Sequence, residues 1–179
     1  HVIAEVHRDG GYFIQEYTIG KPKAKVKKVS ASKRTGTIIT FTPDPDIFSS
    51  TEFDYKRIVA HLRQQAYLVK GMRLSVIDAR ELDEKAAAKL DLKGKQYLAD
   101  EHLEVPHTNF YFEGGLRSLV AFNNQHQKLV HKNIFYVEKG SVTEALDENV
   151  QSVEVALQYV DDISARISAF ANNIYNPEH

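Results

Sequence analysis

Apolar and polar residues alternate over the first forty positions in the way that β-strands require. Residues 2 to 8 alternate, Asp9-Gly10-Gly11 has the composition of a turn, and residues 12 to 19 alternate again. This arrangement predicts a hairpin of two antiparallel strands. A β-branched run from Gly36 to Thr42 predicts a third strand, which ends at Pro43 because proline has no N–H to donate.

Helical spacing replaces alternation in the next segment. Apolar residues recur every three or four positions from 55 to 69, with Thr51 or Asp54 available as a cap and Gly71 as a stop. A second, shorter amphipathic stretch runs from 116 to 123. The sequence therefore predicts a helix in each of these stretches.

The second half of the chain favours strands. Alternating residues predict strands at 73–79, 109–113, 133–139 and 151–160. Near the end, apolar residues recur with a helix-like spacing at Ile163, Ile167, Phe170 and Ile174. Strands and helices in this irregular order favour an α+β fold rather than a doubly wound sheet.

Residues 81–107 interrupt this pattern. They are charged, contain the tract Ala86-Ala87-Ala88 and end just after Pro106. Such a stretch is typical of a surface excursion, with about two helical turns at the alanine tract, rather than of core.

Composition narrows the classes of function. The chain has 179 residues, no Cys and a formal net charge of −1, which excludes disulfide frameworks, Cys-based zinc sites and thiol nucleophiles. Its longest wholly apolar stretches are about four residues, far below the roughly 20 that span a bilayer. We therefore expect a soluble, cytoplasmic protein without a membrane partner. The chain begins without Met, so we also expect an internal fragment.

One segment is strongly basic. No acidic residue occurs between Tyr17 and Pro43, whereas seven basic residues do. We call these seven residues the basic strip: Lys21, Lys23, Lys25, Lys27, Lys28, Lys33 and Arg34. Such a run either attracts phosphate backbones or forms the solvent-facing side of an edge strand, where lysines protect against aggregation. From the sequence we favour the second interpretation.

The residues alone do not predict an active site. There is no phosphate-loop pattern and no GxGxxG, and Gly114-Gly115 lacks the Lys and Ser/Thr that hold phosphates. The histidines lack the spacing and the carboxylate of a metal site. Asp44-Pro45-Asp46 has the composition of a turn rather than of a Mg²⁺ site.

Five strings, in this order along the chain, resemble the B subunit of bacterial DNA gyrase and its topoisomerase IV relative. They are HRDGGYFIQEY (7–17), KRTGTIITFTPDPDIF (33–48), TEFDYKRIVAHLRQQAYLVKG (51–71), FYFEGGLRSLVAF (110–122) and VEVALQYVDDISARISAFANNIYNP (153–177). Together they cover nearly the whole chain, and the PDPDIF and TEFDY strings fit gyrase better than topoisomerase IV.

The resemblance implies two domains. Residues 1–115 would be the C-terminal part of an ATPase domain of the gyrase, Hsp90, histidine kinase and MutL type, with 81–107 as a surface insertion. Residues 116–179 would be the N-terminal part of a β-α-β transducer domain.

The resemblance also implies site residues. Thr37 would bond toward adenine, Ile39 would pack against the adenine ring, and Arg8 would sit at the pocket rim where aminocoumarins bind. Arg117 and Arg166, with the basic strip, would be candidates to contact DNA phosphates. The family's catalytic Glu, magnesium-binding Asn and glycine-rich lid precede residue 1, and its γ-phosphate Lys follows residue 179. We therefore expect no catalytic residue and no metal ligand in this chain.

The implied activity is that of an ATP-dependent type IIA DNA topoisomerase using ATP and Mg²⁺. Its expected partners are double-stranded DNA, the topoisomerase A subunit, and a second B subunit in a dimer that closes on ATP binding. This chain alone is expected to be inactive. The alternatives are a degenerate, non-enzymatic binding module of the same fold, or a MutL-like or Hsp90-like ATPase relative.

Overall fold

The computed structural model describes residues 1–83, 85, 104–140 and 152–176. They contain both helices and strands, so the predicted α+β class is confirmed. The chain separates into two compact units: unit 1 is His1–Asp54 with Arg80–Glu104, and unit 2 is Tyr55–Ala79 with Val105–His179. The elements are β1 (Val2–Arg8), β2 (Gly11–Thr18), β3 (Lys21–Pro22), β4 (Lys27–Ala31), β5 (Gly36–Phe41), α1 (Tyr55–Leu68), β6 (Arg73–Ile77), β7 (His107–Tyr111), α2 (Leu116–Asn123), β8 (Phe135–Lys139), β9 (Val153–Leu157), β10 (Ala169–Ala171) and β11 (Ile174–Asn176).

An antiparallel sheet dominates unit 1. Its order is β3-β2-β1-β5, and β4 also pairs with β2. The predicted hairpin is confirmed: β1 pairs with β2 along its whole length, and the chain turns at Asp9 and Gly10, whose φ angles are both positive. The third predicted strand, β5, pairs with the other side of β1.

The register sorts the side chains of this sheet onto two faces, because successive residues of a strand point to opposite sides. Thr37 lies opposite Val6, and Ile39 lies opposite Ala4. We call the face that they share the open face. Its residues are Val2, Ala4, Val6 and Arg8 of β1, Phe13, Gln15 and Tyr17 of β2, and Thr37, Ile39 and Phe41 of β5.

The basic strip lies along the β2 edge of this sheet. Residues 21–22 and 27–31 pair with β2, so the predicted edge position is confirmed. The segment is not one continuous strand, because residues 23–26 bend away from regular pairing. All seven basic side chains are exposed.

Unit 2 has an apolar core between α1 and the β6–β7 hairpin. Ala66 of α1, Val76 of β6 and Phe110 of β7 are buried there, and half-buried apolar residues of α1 such as Leu62 pack around them. The predicted helices at 55–69 and 116–123 are confirmed as α1 and α2. The aromatic strand begins two residues earlier than predicted, because His107 pairs with Ile77.

The predicted helical pattern at 163–174 is wrong. This segment ends in a β-hairpin of β10 and β11, which turns at Asn172 and Asn173. Both asparagines have positive φ, 47° and 67°, a backbone conformation that Asn tolerates and that ends a helix. Ile163 is fully exposed and Ile174 is 72% exposed, so the apolar spacing does not form a buried helix face.

Two sequence predictions are not tested by the described residues. The helical turns predicted within 81–107 lie almost entirely outside the described residues. The domain boundary predicted between residues 115 and 116 stays a prediction. In the described part of the chain, no helix is long and apolar enough to cross a membrane.

Candidate functional site

The open face places Thr37 and Ile39 side by side on β5. Both side chains are exposed, Ile39 by 56%. Alternate residues of a strand are roughly 7 Å apart, so a hydroxyl and a branched apolar group present one flat surface. Ala4 and Val6 lie next to them on β1 and are half-buried. The structure therefore brings the two predicted adenine contacts together.

Arg8 belongs to the same face. It follows Val6 by two residues, and Val6 lies opposite Thr37, so Arg8 is beside the Thr37 end of the surface. Its Nε is 3.3 Å from Oδ2 of Asp9, and the Arg8 side chain is 76% exposed. Because such exposed ion pairs contribute little, the guanidinium is free to turn toward a ligand.

An aromatic pair limits the opposite end of the open face. The rings of Phe41 and Phe53 meet edge to face with centroids 5.9 Å apart. Between them along the chain, the amide of Asp46 donates to Oδ1 of Asp44 at 3.0 Å, and the amide of Phe48 donates to the Asp44 carbonyl at 3.0 Å. The Asp44-Pro45-Asp46 segment is therefore a turn, as the sequence predicts.

The reverse face of the sheet carries a polar network that sequence reasoning missed. Glu5 and His7 are buried, with 4% and 7% of their surfaces exposed. The Tyr12 hydroxyl donates to Glu5, and the Tyr12 ring stacks on His7 with centroids 4.6 Å apart. Nδ1 of His7 is 2.8 Å from the Ser32 hydroxyl. The sequence could have indicated the His7–Tyr12 contact through the hairpin register, since a tight turn at 9–10 sets His7 opposite Tyr12.

Arg117 and Arg166, the predicted DNA contacts, both have partners within unit 2. The Arg117 guanidinium lies 4.3 Å from the centroid of the Tyr136 ring. Arg166 is 3.4 Å from Asp162, whose pKa is lowered mainly by a hydrogen bond from the Ser164 amide. With the Gln127 amide oriented so that its oxygen faces Arg166, that oxygen accepts from both guanidinium nitrogens, at 3.1 and 3.2 Å. Neither arginine projects freely.

A charged group surrounds Tyr136, and we call it the Tyr136 cluster. Its members are Lys70, Arg117, Tyr136, Glu138 and Glu154. Lys70 Nζ donates to the Tyr136 hydroxyl and to Glu138, the latter at 2.8 Å, and lies 3.4 Å from Glu154. The Tyr136 hydroxyl in turn donates to Glu138 at 2.7 Å.

The Tyr136 cluster changes the titration of its members. The bond to Glu138 raises the pKa of Lys70, and the same bond lowers the pKa of Glu138. Desolvation raises the pKa of Tyr136. No local pattern signals this cluster in the sequence, because Lys70 and Glu138 are 68 residues apart.

The family of the chain follows from comparison with known proteins. The family model for DNA gyrase B matches residues 115–178. The B subunit of DNA gyrase from Clostridium acetobutylicum is 36% identical over 174 residues, which are 97% of this chain and 23% of that protein. Its counterpart from Streptomyces coelicolor is 33% identical over 178 residues, 99% of this chain and 24% of that protein. The chain belongs to the DNA gyrase B family.

Solved gyrase B structures have the same fold. The 43K ATPase domain of Thermus thermophilus gyrase B, in complex with an aminocoumarin, matches with a TM-score of 0.72 and 25% identity, over 97% of this chain and 40% of that one. The gyrase B protein of Myxococcus xanthus matches with a TM-score of 0.69 at 18% identity, over 97% of this chain and 43% of that one. The resemblance to gyrase B and the fold class are thereby confirmed.

The chain spans about a quarter of the length of the Clostridium and Streptomyces gyrase B proteins. Arg117 and Arg166 lie inside the segment matched by the family model, whereas Arg8, Thr37 and Ile39 lie before it. Among residues 1–83, 85, 104–140 and 152–176, no three or more His, Cys, Asp or Glu side chains group as a metal site.

Proposed function

We propose that the open face forms one wall of an ATP pocket in a type IIA DNA topoisomerase of the gyrase B family. The observation that carries this proposal is an inversion of the usual sheet pattern. Ile39 and Phe41 are each 56% exposed on the open face, while Glu5 and His7 are buried on the reverse face. An exposed apolar surface with one hydroxyl suits a flat heterocycle that has a polar edge.

Each residue of this wall has a distinct role. The Thr37 hydroxyl accepts or donates a hydrogen bond at the edge of adenine, directly or through water. Ile39 packs against the ring face and excludes water from it. Arg8, at the Thr37 end, covers the rim of the pocket. The Thermus thermophilus relative binds an aminocoumarin, and in this proposal Arg8 lies at the rim where such an inhibitor would bind.

The groups that hydrolyse ATP and bind Mg²⁺ are expected in other parts of the longer gyrase B protein. In this proposal ATP binding closes a dimer of B subunits around a DNA duplex, and the A subunit makes the break through which that duplex passes. Residues 116–179 begin the transducer that relays the nucleotide state, and the family match over 115–178 supports this assignment. Arg117 and Arg166 would contact DNA only after leaving Tyr136 and Asp162.

The test uses the gene product that contains this chain, together with its A subunit. Ile39→Asp should raise the ATP concentration that gives half-maximal supercoiling at least tenfold, because it places a charge against an apolar ring. The matched control is Ile19→Asp, since Ile19 is 76% exposed and lies outside the open face.

Thr37→Val should have a smaller effect in the same direction, because one hydrogen bond to a neutral group contributes about 0.5–1.5 kcal/mol. Supercoiling or decatenation that proceeds without ATP would refute the proposed function. A protein that binds no ATP and drives no strand passage would instead be the non-enzymatic binding module.

A further inference from the structure

We propose that the basic strip docks the phosphate backbone of duplex DNA. The proposal rests on the proposed function for its biological meaning, since a topoisomerase must hold DNA, and it assigns that contact to a surface of unit 1. The strip consists of the seven basic residues between Lys21 and Arg34.

The first argument is the availability of the charges. All seven side chains are exposed. In the part of the chain that the structure describes, only Lys23 of the seven has a carboxylate within 4 Å, with its Nζ 3.1 Å from Glu16. Lys28 lies over the Phe13 ring at 5.9 Å. The other five cations have no carboxylate or ring partner among the described residues. They are Lys21, Lys25, Lys27, Lys33 and Arg34.

The second argument is that the backbone beneath these charges is fixed. Strands β3 and β4 pair with β2, which has eight residues and is therefore roughly 25 Å long. Between them, the Lys23 amide donates to the Glu16 carbonyl at 2.9 Å, and the Gln15 side chain donates to the Ala24 carbonyl at 3.1 Å. Because the segment is already ordered, binding does not have to order its backbone.

The third argument is the shape of the charged surface. Lys21 and Lys27 lie on the side of the sheet that carries Tyr12. Lys28 lies on the other side, opposite Phe13. Ammonium groups on both sides of an edge spread positive charge along a line. A line of charge fits a chain of phosphates, whereas a single small anion needs a compact cradle.

Protection of the sheet edge does not account for the whole strip. Lys33 and Arg34 follow β4 and precede β5, so they pair with no strand edge. The Arg34 amide instead donates to the Ser32 hydroxyl at 3.1 Å, which holds this end of the strip in a turn. The chain as a whole carries a net charge of −1, so attraction to DNA has to come from a local surface such as this one.

The experiment measures binding of the whole chain, without ATP, to a fluorescent duplex of about 20 base pairs at several salt concentrations. The five available cations predict a slope of log K against log salt of about −4.5. Lys25→Gln, Lys27→Gln and Lys33→Gln in combination should weaken binding roughly 100-fold near 0.1 M salt and make the slope shallower by about 3. Two duplexes of unrelated sequence should bind equally well.

The matched control removes the same charge elsewhere. Lys56→Gln, Lys132→Gln and Lys139→Gln replace three exposed lysines of unit 2 and should change affinity less than about threefold. The variant Lys25→Arg, Lys27→Arg and Lys33→Arg keeps the charge and should keep the affinity. Equal losses in the strip variant and the control variant would overturn the proposal, as would an unmodified chain whose DNA binding is absent or independent of salt.

The strip variant has to be checked for self-association, because lysines also protect sheet edges from pairing with other chains. If it associates, each of the three single Gln substitutions is measured below the association concentration, and each must make the slope shallower by about 1. Unchanged slopes would leave edge protection as the role of the strip. Since this experiment contains no nucleotide, its failure would leave the ATP-pocket proposal intact, and failure of the supercoiling test would not affect its result.

Discussion

The two units of the chain bury different kinds of side chain. In the sheet of unit 1, the polar side chains of Glu5 and His7 are buried, while large apolar groups such as Ile39 stay exposed. Among the described residues of unit 2, the buried side chains are those of Ala66, Tyr67, Val76 and Phe110. The α1–β6–β7 core of unit 2 is therefore held by apolar burial, whereas the unit 1 sheet relies more on hydrogen bonds.

This difference indicates that the open face of unit 1 can accommodate a ligand. In the part of unit 2 built from α1, α2 and the β6–β7 pair, the apolar rings already have partners, since the Tyr67 ring stacks on Phe112 at 3.8 Å and Arg63 lies 5.6 Å from Phe110 and 5.2 Å from Phe122. In unit 1 the apolar groups of the open face remain available. Four substitutions test this contrast, with expected effects that decrease from the unit 2 core to the exposed ion pairs.

The largest effect is expected from Phe110→Ala. Phe110 is 5% exposed in the unit 2 core, so its truncation should cost about 3–5 kcal/mol of unfolding free energy. Ile39→Ala removes an apolar group of the open face and should change that free energy by less than about 0.5 kcal/mol. Urea denaturation followed by circular dichroism measures both. Similar losses in the two variants would mean that the open face is not open in solution.

Tyr12→Phe should have the next largest effect. It removes the hydroxyl that donates to buried Glu5 and should cost about 1–3 kcal/mol. Tyr17→Phe is the control, because Tyr17 lies on the same strand and none of the described residues bonds to its hydroxyl. If both variants unfold at the same urea concentration, the polar network does not stabilise unit 1.

Gly115→Ala tests the joint that precedes α2. Gly115 has a φ of +55°, and an added Cβ would lie 2.7 Å from Cγ of Lys70. We expect a loss of about 1–2 kcal/mol, from backbone strain and from displacement of Lys70 out of the Tyr136 cluster. Gly10→Ala carries the backbone strain alone, because no atom lies within 4 Å of the added Cβ.

A double-substitution cycle separates the two causes. In a chain that already carries Lys70→Ala, the Gly115→Ala loss should fall to the value measured for Gly10→Ala. An undiminished loss would show that Lys70 does not pass beside Gly115.

Lys70→Met should have the smallest effect, a fall in Tm of about 1–3 °C, because exposed ion pairs contribute little. The lowered pKa of Glu138 gives a contribution that is present above its ordinary pKa and is lost as the pH falls through the folded value. The raised pKa of Lys70 gives one that is present below its ordinary pKa and is lost at higher pH. The Tm difference should therefore be constant between about pH 5 and pH 9 and shrink toward acid.

The control for this pH dependence is Lys128→Met. Lys128 and Asp161 form an ion pair of 2.5 Å whose side chains are 82% and 60% exposed. Its loss should change Tm less than the loss of Lys70 does. A Tm difference for Lys70→Met that does not shrink at acidic pH would rule out the ionised Glu138 as its partner.

Local sequence patterns predicted most of the elements. Alternation placed β1, β2 and β5, and three- to four-residue spacing placed α1 and α2, because each pattern reflects contacts made within the element or with a sequence neighbour. The same spacing failed at 163–174. There, Asn172 and Asn173 favour a tight turn, and Ile163 has no core to face.

The candidate site was predictable only in part. Thr37 and Ile39 share a face simply because they are two residues apart on a strand. Their relation to Arg8 needed the pairing of β1 with β5, which joins residues about 30 positions apart along the chain. The Tyr136 cluster depends on contacts between Lys70, which follows α1, Arg117 of α2 and the β8–β9 hairpin, and no spacing rule reaches across such distances.

The pairing of β5 with β1 makes the open face sensitive to changes of chain length. The ladder is closed at one end by reciprocal bonds, from the Thr42 amide to the His1 carbonyl and from the His1 amino group to the Thr42 carbonyl. A one-residue slip would turn Thr37 and Ile39 to the reverse face and bring Ile38 outward. Insertions and deletions near β5 should therefore be rarer among functional variants than substitutions at the same positions.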